Sequence, residues 1–250
     1  MKTLYKVFTL FPEVIHHYIT FNAPLTRGIQ KGILQVETIN YRDYSYFKHQ
    51  KVDDLVYGGG PGMLIRGEPL LTAIQNHSNP KNPPMILIMD PKGVPFTQNF
   101  AKKLSQLPEI FFICGRYEGM DSRLTEILKA QPVSLGDFVL TGGELAALAI
   151  IDATARLIQG TLDSYESQEE ESFSTGWLEY ENYTRPPLLE EKEVPKVLLS
   201  GNHKEINLWR KKNSIKNTIK NRPDLLKELN LNSYELTLIK NILKEIYSED

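Results

Sequence analysis

The stretch that decides the fold is Gly136-Asp137-Phe138-Val139-Leu140-Thr141-Gly142-Gly143-Glu144, with Cys114-Gly115-Arg116-Tyr117-Glu118-Gly119 shortly before it. Each reads as a buried strand running into a glycine turn, and the second turn opens onto an apolar helix expected from Gly143 to Ile158. Paired glycines let a backbone approach a ligand where a Cβ would clash. Two such turns in one α/β segment point to a nucleotide-like group gripped by main-chain amides. A tight strand-to-helix turn with no ligand is the other reading of Gly142-Gly143. Neither turn matches the G-x-G-x-x-G dinucleotide fingerprint, and no G-x-x-x-x-G-K-[ST] phosphate loop occurs.

Outward from these turns, strands and helices alternate. Leu4 to Leu10, Ile33 to Ile39, Met85 to Met89, Ile110 to Cys114 and Val133 to Leu140 read as strands. Pro12 opens a helix at a position proline tolerates, Thr97 to Leu107 reads as another, and Asp121 caps one running to about Lys129. This alternation predicts an α/β fold with a parallel sheet and helices on both faces, over residues 1–160. Residues 161–175 are polar, acidic and aperiodic, and read as a flexible interdomain linker. From 176 to 250 no strand pattern is visible. A capping box at Asn202 opens a helix through Ile219, Pro223 starts a short one, and Ser233 caps a last one through Ile246. A small all-helical domain is the expectation.

The chain has 250 residues, 41% hydrophobic and 24% charged, which is ordinary for a globular protein. No run of about 18 apolar residues could cross a membrane, and the N-terminus goes directly into a strand pattern without a signal peptide. A single cysteine, Cys114, excludes an internal disulfide or a cysteine-rich zinc site and fits a cytoplasmic setting. No histidine has metal-ligand spacing. The net charge of −2 conceals an asymmetry: acids dominate from Asp163 to Glu193, whereas Lys204, Arg210, Lys211, Lys212, Lys216, Lys220 and Arg222 face only Glu205. That basic stretch is either a phosphate-contact surface or a solvated helix face.

An ordered series of segments carries a resemblance. It runs through Leu10-Phe11-Pro12-Glu13, Val52-Asp53-Asp54, Tyr57-Gly58-Gly59-Gly60-Pro61-Gly62-Met63, the two glycine turns and Glu171-Ser172-Phe173. It continues through Tyr183-Thr184-Arg185-Pro186, Glu193-Val194-Pro195 and Leu198-Leu199-Ser200-Gly201-Asn202-His203. Together they resemble the bacterial tRNA (guanine-N1)-methyltransferases that modify the guanine just 3′ of the anticodon, tRNA position 37. The alternatives are a related knotted methyltransferase acting on ribosomal RNA and a non-catalytic RNA-binding protein.

The resemblance implies a homodimer of the SPOUT superfamily, its parallel sheet threaded by a deep trefoil knot, with the active site at the subunit interface. It implies S-adenosyl-L-methionine held by Pro91, Gly115, Tyr117, Glu118, the run Leu135, Gly136, Asp137, Phe138, Val139 and Leu140, and Gly142 with Gly143. The catalytic pair it implies is Glu171 as general base and Arg156 as a cation near the guanine O6. Glu171 stands where the family has aspartate, with Glu169 and Glu170 adjacent, and Arg156 also reads as a helix-end cation. Phe138 and Ala146 depart from the family's usual tyrosine and proline. Contacts to tRNA fall on His49, Asp53, Gly58, Gly59, Gly60, His203, Arg210, Lys211 and Lys212, and Mg2+ is raised as a further cofactor.

Overall fold

The computed structural model describes residues 2–162 and 171–248. The chain divides into two units, Met1–Tyr165 and Glu166–Asp250. Glu169, Glu170 and most of the expected linker lie outside the described residues.

The first unit is built on five parallel strands: β1 (Thr3–Thr9), β2 (Leu34–Asn40), β5 (Met85–Pro95), β6 (Glu109–Ile113) and β7 (Gln131–Ser134). Their spatial order is β2-β1-β6-β5-β7. A two-residue side-chain period divides the sheet into two buried faces. Tyr5, Val7, Leu87, Met89, Ile110 and Phe112 join one apolar cluster. Phe8, Ile86, Ile88, Phe111 and Ile113 join the other. The first face is covered by α1 (Pro12–Phe21), α2 (Ala23–Gln30), α4 (Gln98–Leu104) and α6 (Glu144–Ala155), which contribute Ile15, Leu25, Leu104 and Ile151. The second is covered by α3 (Gly67–His77) and α5 (Arg123–Ile127), through Leu70, Ile74 and Leu124. A short antiparallel pair, β3 (Asp53–Asp54) and β4 (Leu64–Ile65), brackets the glycine-rich loop.

Two strands differ from expectation, and both differences shape the cavity described below. The last strand stops at Ser134 instead of reaching Leu140. The Ser134 hydroxyl donates to the Gly136 carbonyl at 3.1 Å and accepts from the Gly136 amide at 3.2 Å, so it turns the chain off the sheet edge. In the other direction, β5 runs past Met89 to Pro95. Met89 and Val94 both pair with Val133, so Asp90 to Gly93 is looped out of the ladder as a large bulge. Gly93 is required there: a Cβ would overlap the backbone of Pro132 and Val133.

In the second unit the helices are α7 (Lys196–Leu199), α8 (His203–Asn221) and α9 (Ser233–Ser248), with a 3₁₀ turn at Pro223–Glu228. An all-helical expectation misses one feature, a two-stranded ladder of β8 (Leu188–Leu189) and β9 (Lys192–Glu193). Two residues per strand are too few to leave an alternating pattern in the sequence. Trp177, Ile215, Leu238 and Ile242 form the core of this unit. Trp209 lies outside that core, its ring centroid 6.2 Å from that of Tyr183. The cap of α9 is Asn232, not Ser233. Its Oδ1 accepts from the Glu235 amide at 2.9 Å, and the Glu235 carboxylate accepts from the Asn232 amide at 3.2 Å, a complete capping box. At α8 the expected Asn202 cap is in place, accepting from the Glu205 amide.

Candidate functional site

Three segments at the carboxyl ends of β5, β6 and β7 enclose a cavity of about 320 Å³. The outer end of a parallel sheet is where ligands bind in open α/β folds. The bulge contributes Asp90, Pro91 and Lys92; the turn after β6 contributes Gly115 to Met120; the segment from Val133 to Gly143 closes the third side. Of the positions the resemblance assigns to the methyl donor, Pro91, Gly115, Tyr117, Glu118, Leu135, Gly136, Phe138, Val139, Leu140, Gly142 and Gly143 all line it. Asp137 is not among the lining residues. The two departures from the family pattern, Phe138 and Ala146, also face it. Tyr117, Phe138 and Val139 each leave more than half their surface exposed, which provides an apolar rim.

Backbone contact fixes the spacing of the walls. The Gly143 amide donates to the Gly115 carbonyl at 3.0 Å, tying the third segment to the second. A Cβ on Gly143 would sit 2.8 Å from the Cys114 Cα and 3.0 Å from the Gly115 nitrogen, so glycine is what allows α6 to start there. Cys114 packs fully buried at the base of the turn, and burial pushes its thiol up, away from reactivity. The Tyr41 hydroxyl donates to the Cys114 carbonyl at 3.3 Å.

The Gly58–Met63 loop joins the same neighbourhood. The Glu118 amide donates to the Met63 carbonyl at 3.0 Å, and the Ile65 amide to the Gly119 carbonyl at 2.9 Å. Gly58, Gly59 and Gly60 are exposed, and Asp53 begins the β3–β4 bracket at the loop's base. Arg66 pairs with Asp54 and lies over the Phe47 ring at 3.7 Å. His49, also exposed, lies on the segment between Phe47 and β3.

The remaining candidates fall in different places. Arg156 is the C-terminal cap of α6. Glu171 belongs to the second unit and begins a turn: its carbonyl accepts from the Ser174 amide at 3.1 Å. The Phe173 amide donates to the Trp177 carbonyl at 2.8 Å, and the Ser172 hydroxyl accepts from the Glu179 amide at 2.9 Å. Residues 171–175, expected within the linker, are thus laid down in a hydrogen-bonded turn. His203 is the first residue of α8 and exposed, as is Lys212. Lys211 is committed elsewhere. Its ammonium pairs with Glu235 at 2.8 Å and lies over the Trp177 ring at 4.7 Å, which no local sequence pattern discloses. The Arg210 guanidinium lies over the Tyr180 ring at 4.8 Å.

Among the described residues, no group of three or more His, Cys, Asp or Glu side chains is placed to hold a metal ion. Nothing among the described residues supports the Mg2+ that the resemblance raises. None of the described helices is long and apolar enough to cross a membrane.

Comparison with known proteins identifies the family. The family model for tRNA (Guanine-1)-methyltransferase TrmD matches residues 2–228. A tRNA (guanine-N(1)-)-methyltransferase of Clostridium botulinum (strain 657 / Type Ba4) is 46% identical over 241 residues, covering 96% of this chain and 98% of the relative. One of the same name from Dehalococcoides mccartyi (strain ATCC BAA-2266 / KCTC 15142 / 195) is 44% identical over 251 residues, covering 98% of each. With a match that runs through both units and every segment of the cavity, the chain belongs to the tRNA (guanine-1)-methyltransferase TrmD family.

Proposed function

We propose that this protein transfers a methyl group from S-adenosyl-L-methionine to N1 of the guanine at tRNA position 37. The observation that carries the reading is the convergence of three chain segments, two of them glycine turns, on one cavity with an apolar rim. Main-chain amides and carbonyls can satisfy an adenine edge and an amino-acid group without charged side chains, while Tyr117, Phe138 and Val139 offer apolar surface to a purine. S-adenosyl-L-methionine supplies, when bound, a methyl group made electrophilic by its sulfonium.

The protein's own residues supply proton transfer and charge placement. Guanine N1 carries a proton at neutral pH, so it becomes a nucleophile only as that proton leaves. Glu171 accepts it as general base, a contribution of roughly 10²–10⁴-fold. Arg156 stabilises the negative charge that grows on O6, an effect worth about 3 kcal/mol when preorganised. The base must also leave the anticodon stack, and exposed Gly58 to Gly60, with Asp53 and His49 nearby in sequence, form the surface that receives it. The exposed basic side chains of α8, Lys212 foremost, hold tRNA phosphates.

The same reading includes a trefoil knot, supported by the sheet order β2-β1-β6-β5-β7 and by the bond from Gly143 to Gly115. It includes a homodimer, supported by an apolar depression on α1 and α6 lined by Val14, Tyr18, Phe21, Leu145 and Leu148. Phe21 is 84% exposed and Leu145 59%, apolar surface that a second copy of the chain would cover. A cytoplasmic setting fits the lone, buried thiol of Cys114.

Methyl transfer to tRNA transcripts carrying guanine or adenine at position 37, followed by nucleoside analysis, tests the reading. It stands if 1-methylguanine forms on the first transcript alone. Equal labelling of both, or none of either, refutes it.

A further inference from the structure

The Leu10-Phe11-Pro12-Glu13 motif and the final Glu144 of the glycine turn have no part in the chemistry above, yet both converge on Arg116. Glu144 is a buried carboxylate, 2% exposed. One oxygen accepts from the Thr9 hydroxyl at 2.7 Å. The other lies 3.3 Å from Arg116 Nε, as an ion pair rather than an aligned hydrogen bond, and both of those atoms are sealed from solvent. The Arg116 guanidinium lies over the Phe11 ring at 4.3 Å, and its Nη1 donates to the Thr141 carbonyl at 3.3 Å. One arginine therefore spans two walls of the cavity: it belongs to the Gly115–Gly119 turn and bonds the Thr141–Gly143 turn opposite.

We propose that Glu144 is a positioning residue that acts through Arg116, holding the two glycine turns at the separation the methyl donor requires. The physical case is the cost of the alternative. A buried carboxylate keeps its charge only beside a partner, and breaking such a pair leaves the other charge uncompensated. Thr9 anchors the carboxylate to the sheet at the end of β1, and Phe11 covers the guanidinium face. The Glu144 carboxylate therefore has no route to water and depends on the buried Nε edge of an arginine whose outer end still reaches solvent. Gly142 completes the fit, since a Cβ there would meet both Arg116 Nε and Glu144 Oε2.

This inference rests on the reading of the cavity as the donor site, and the experiment separates the two. Binding of S-adenosyl-L-homocysteine to the full chain is measured by calorimetry for wild type, Glu144→Gln, Arg116→Met and the double variant, with thermal unfolding recorded for each. Glutamine preserves the acceptor for Thr9 and removes the charge. The expected result is a roughly tenfold weaker affinity in each single variant and no further loss in the double. In Glu144→Gln, donor KM should rise while kcat at saturating donor is kept, a split that a general loss of folded protein would not produce. Wild-type affinity in both single variants, or losses that multiply in the double, overturns the proposal. Should Glu144→Gln not fold, Glu144→Asp, which keeps the charge but draws it back from Arg116, is read on the same criterion. No heat with wild type would sink the cavity reading and this inference together; heat with wild type and equal heat with the variants sinks only the inference.

Discussion

Gly143→Ala is the sharpest single test of how the cavity is built. The added Cβ would lie 2.8 Å from the Cys114 Cα, 3.0 Å from the Gly115 nitrogen and 3.1 Å from the Met89 Cβ. Relaxed carbon–carbon contacts sit at about 3.5–4.0 Å, so something must move by roughly 0.7 Å. The closest neighbours are backbone, and Cys114 is held to the sheet because its amide donates to the Phe8 carbonyl at 2.9 Å. Overpacking of this kind costs about 2 kcal/mol. Separating the turns also weakens the bond from the Gly143 amide to the Gly115 carbonyl, about 1 kcal/mol more. The combined loss of about 3 kcal/mol corresponds to a fall in the unfolding midpoint of roughly 6–12 °C. Thermal unfolding followed by near-ultraviolet circular dichroism reads that shift, and calorimetric titration with S-adenosyl-L-homocysteine should show weakened binding in the folded protein. The variant's φ of −80° is one any residue accepts, so backbone strain offers no alternative explanation. A midpoint and an affinity both equal to wild type would refute the claim that the two turns are in contact through this glycine.

Other outcomes follow from the same structure. Glu171→Ala should lower single-turnover methyl transfer by roughly 10²–10⁴-fold with donor affinity kept, measured by rapid quench and calorimetry; an unchanged rate moves the base to another residue. Lys212→Glu should weaken tRNA binding and lower its salt slope by about 1, whereas Lys211→Glu should chiefly destabilise the second unit, because Lys211 pairs with Glu235 and covers Trp177. Filter binding across a salt series, with melting curves for both variants, distinguishes them. Glu235 is held below the usual carboxylate range, first by the hydrogen bond from Lys211 and then by the Asn232 amide. Its stabilising contribution is therefore present above the unfolded value of about 4.3 and lost as pH falls through the lowered folded value. Acid unfolding of the second unit should become less pH-dependent in that window in Glu235→Gln, and an identical acid limb in both proteins would contradict the assignment.

Local pattern was enough for the sheet. Near-continuous apolar runs such as Met85 to Met89 and Ile110 to Ile113 mark strands buried on both faces, and the glycines of both turns announce a backbone that something approaches closely. Those signals are legible because they depend on neighbours a few residues away. The strand expected through Leu140 failed for the same reason in reverse: an apolar run looks alike whether it pairs in a ladder or forms a cavity wall, and the Ser134 hydroxyl that turns it off the sheet gives no periodic signal. Asn232 and Ser233 are both good caps, and only the reciprocal bonds with Glu235 choose between them.

By itself the sequence determined the parallel α/β class, the longer strands and helices, and the glycine turns that line the cavity. Tertiary structure alone decided which side chains share a charge. Thr9 and Glu144 stand 135 positions apart and meet in a hydrogen bond, while Lys211 is taken by Glu235 from another helix. Such pairings depend on how the sheet orders its strands and how the helices pack, since closing a long chain segment costs entropy that only the whole packed core repays. No window of neighbouring residues carries that information.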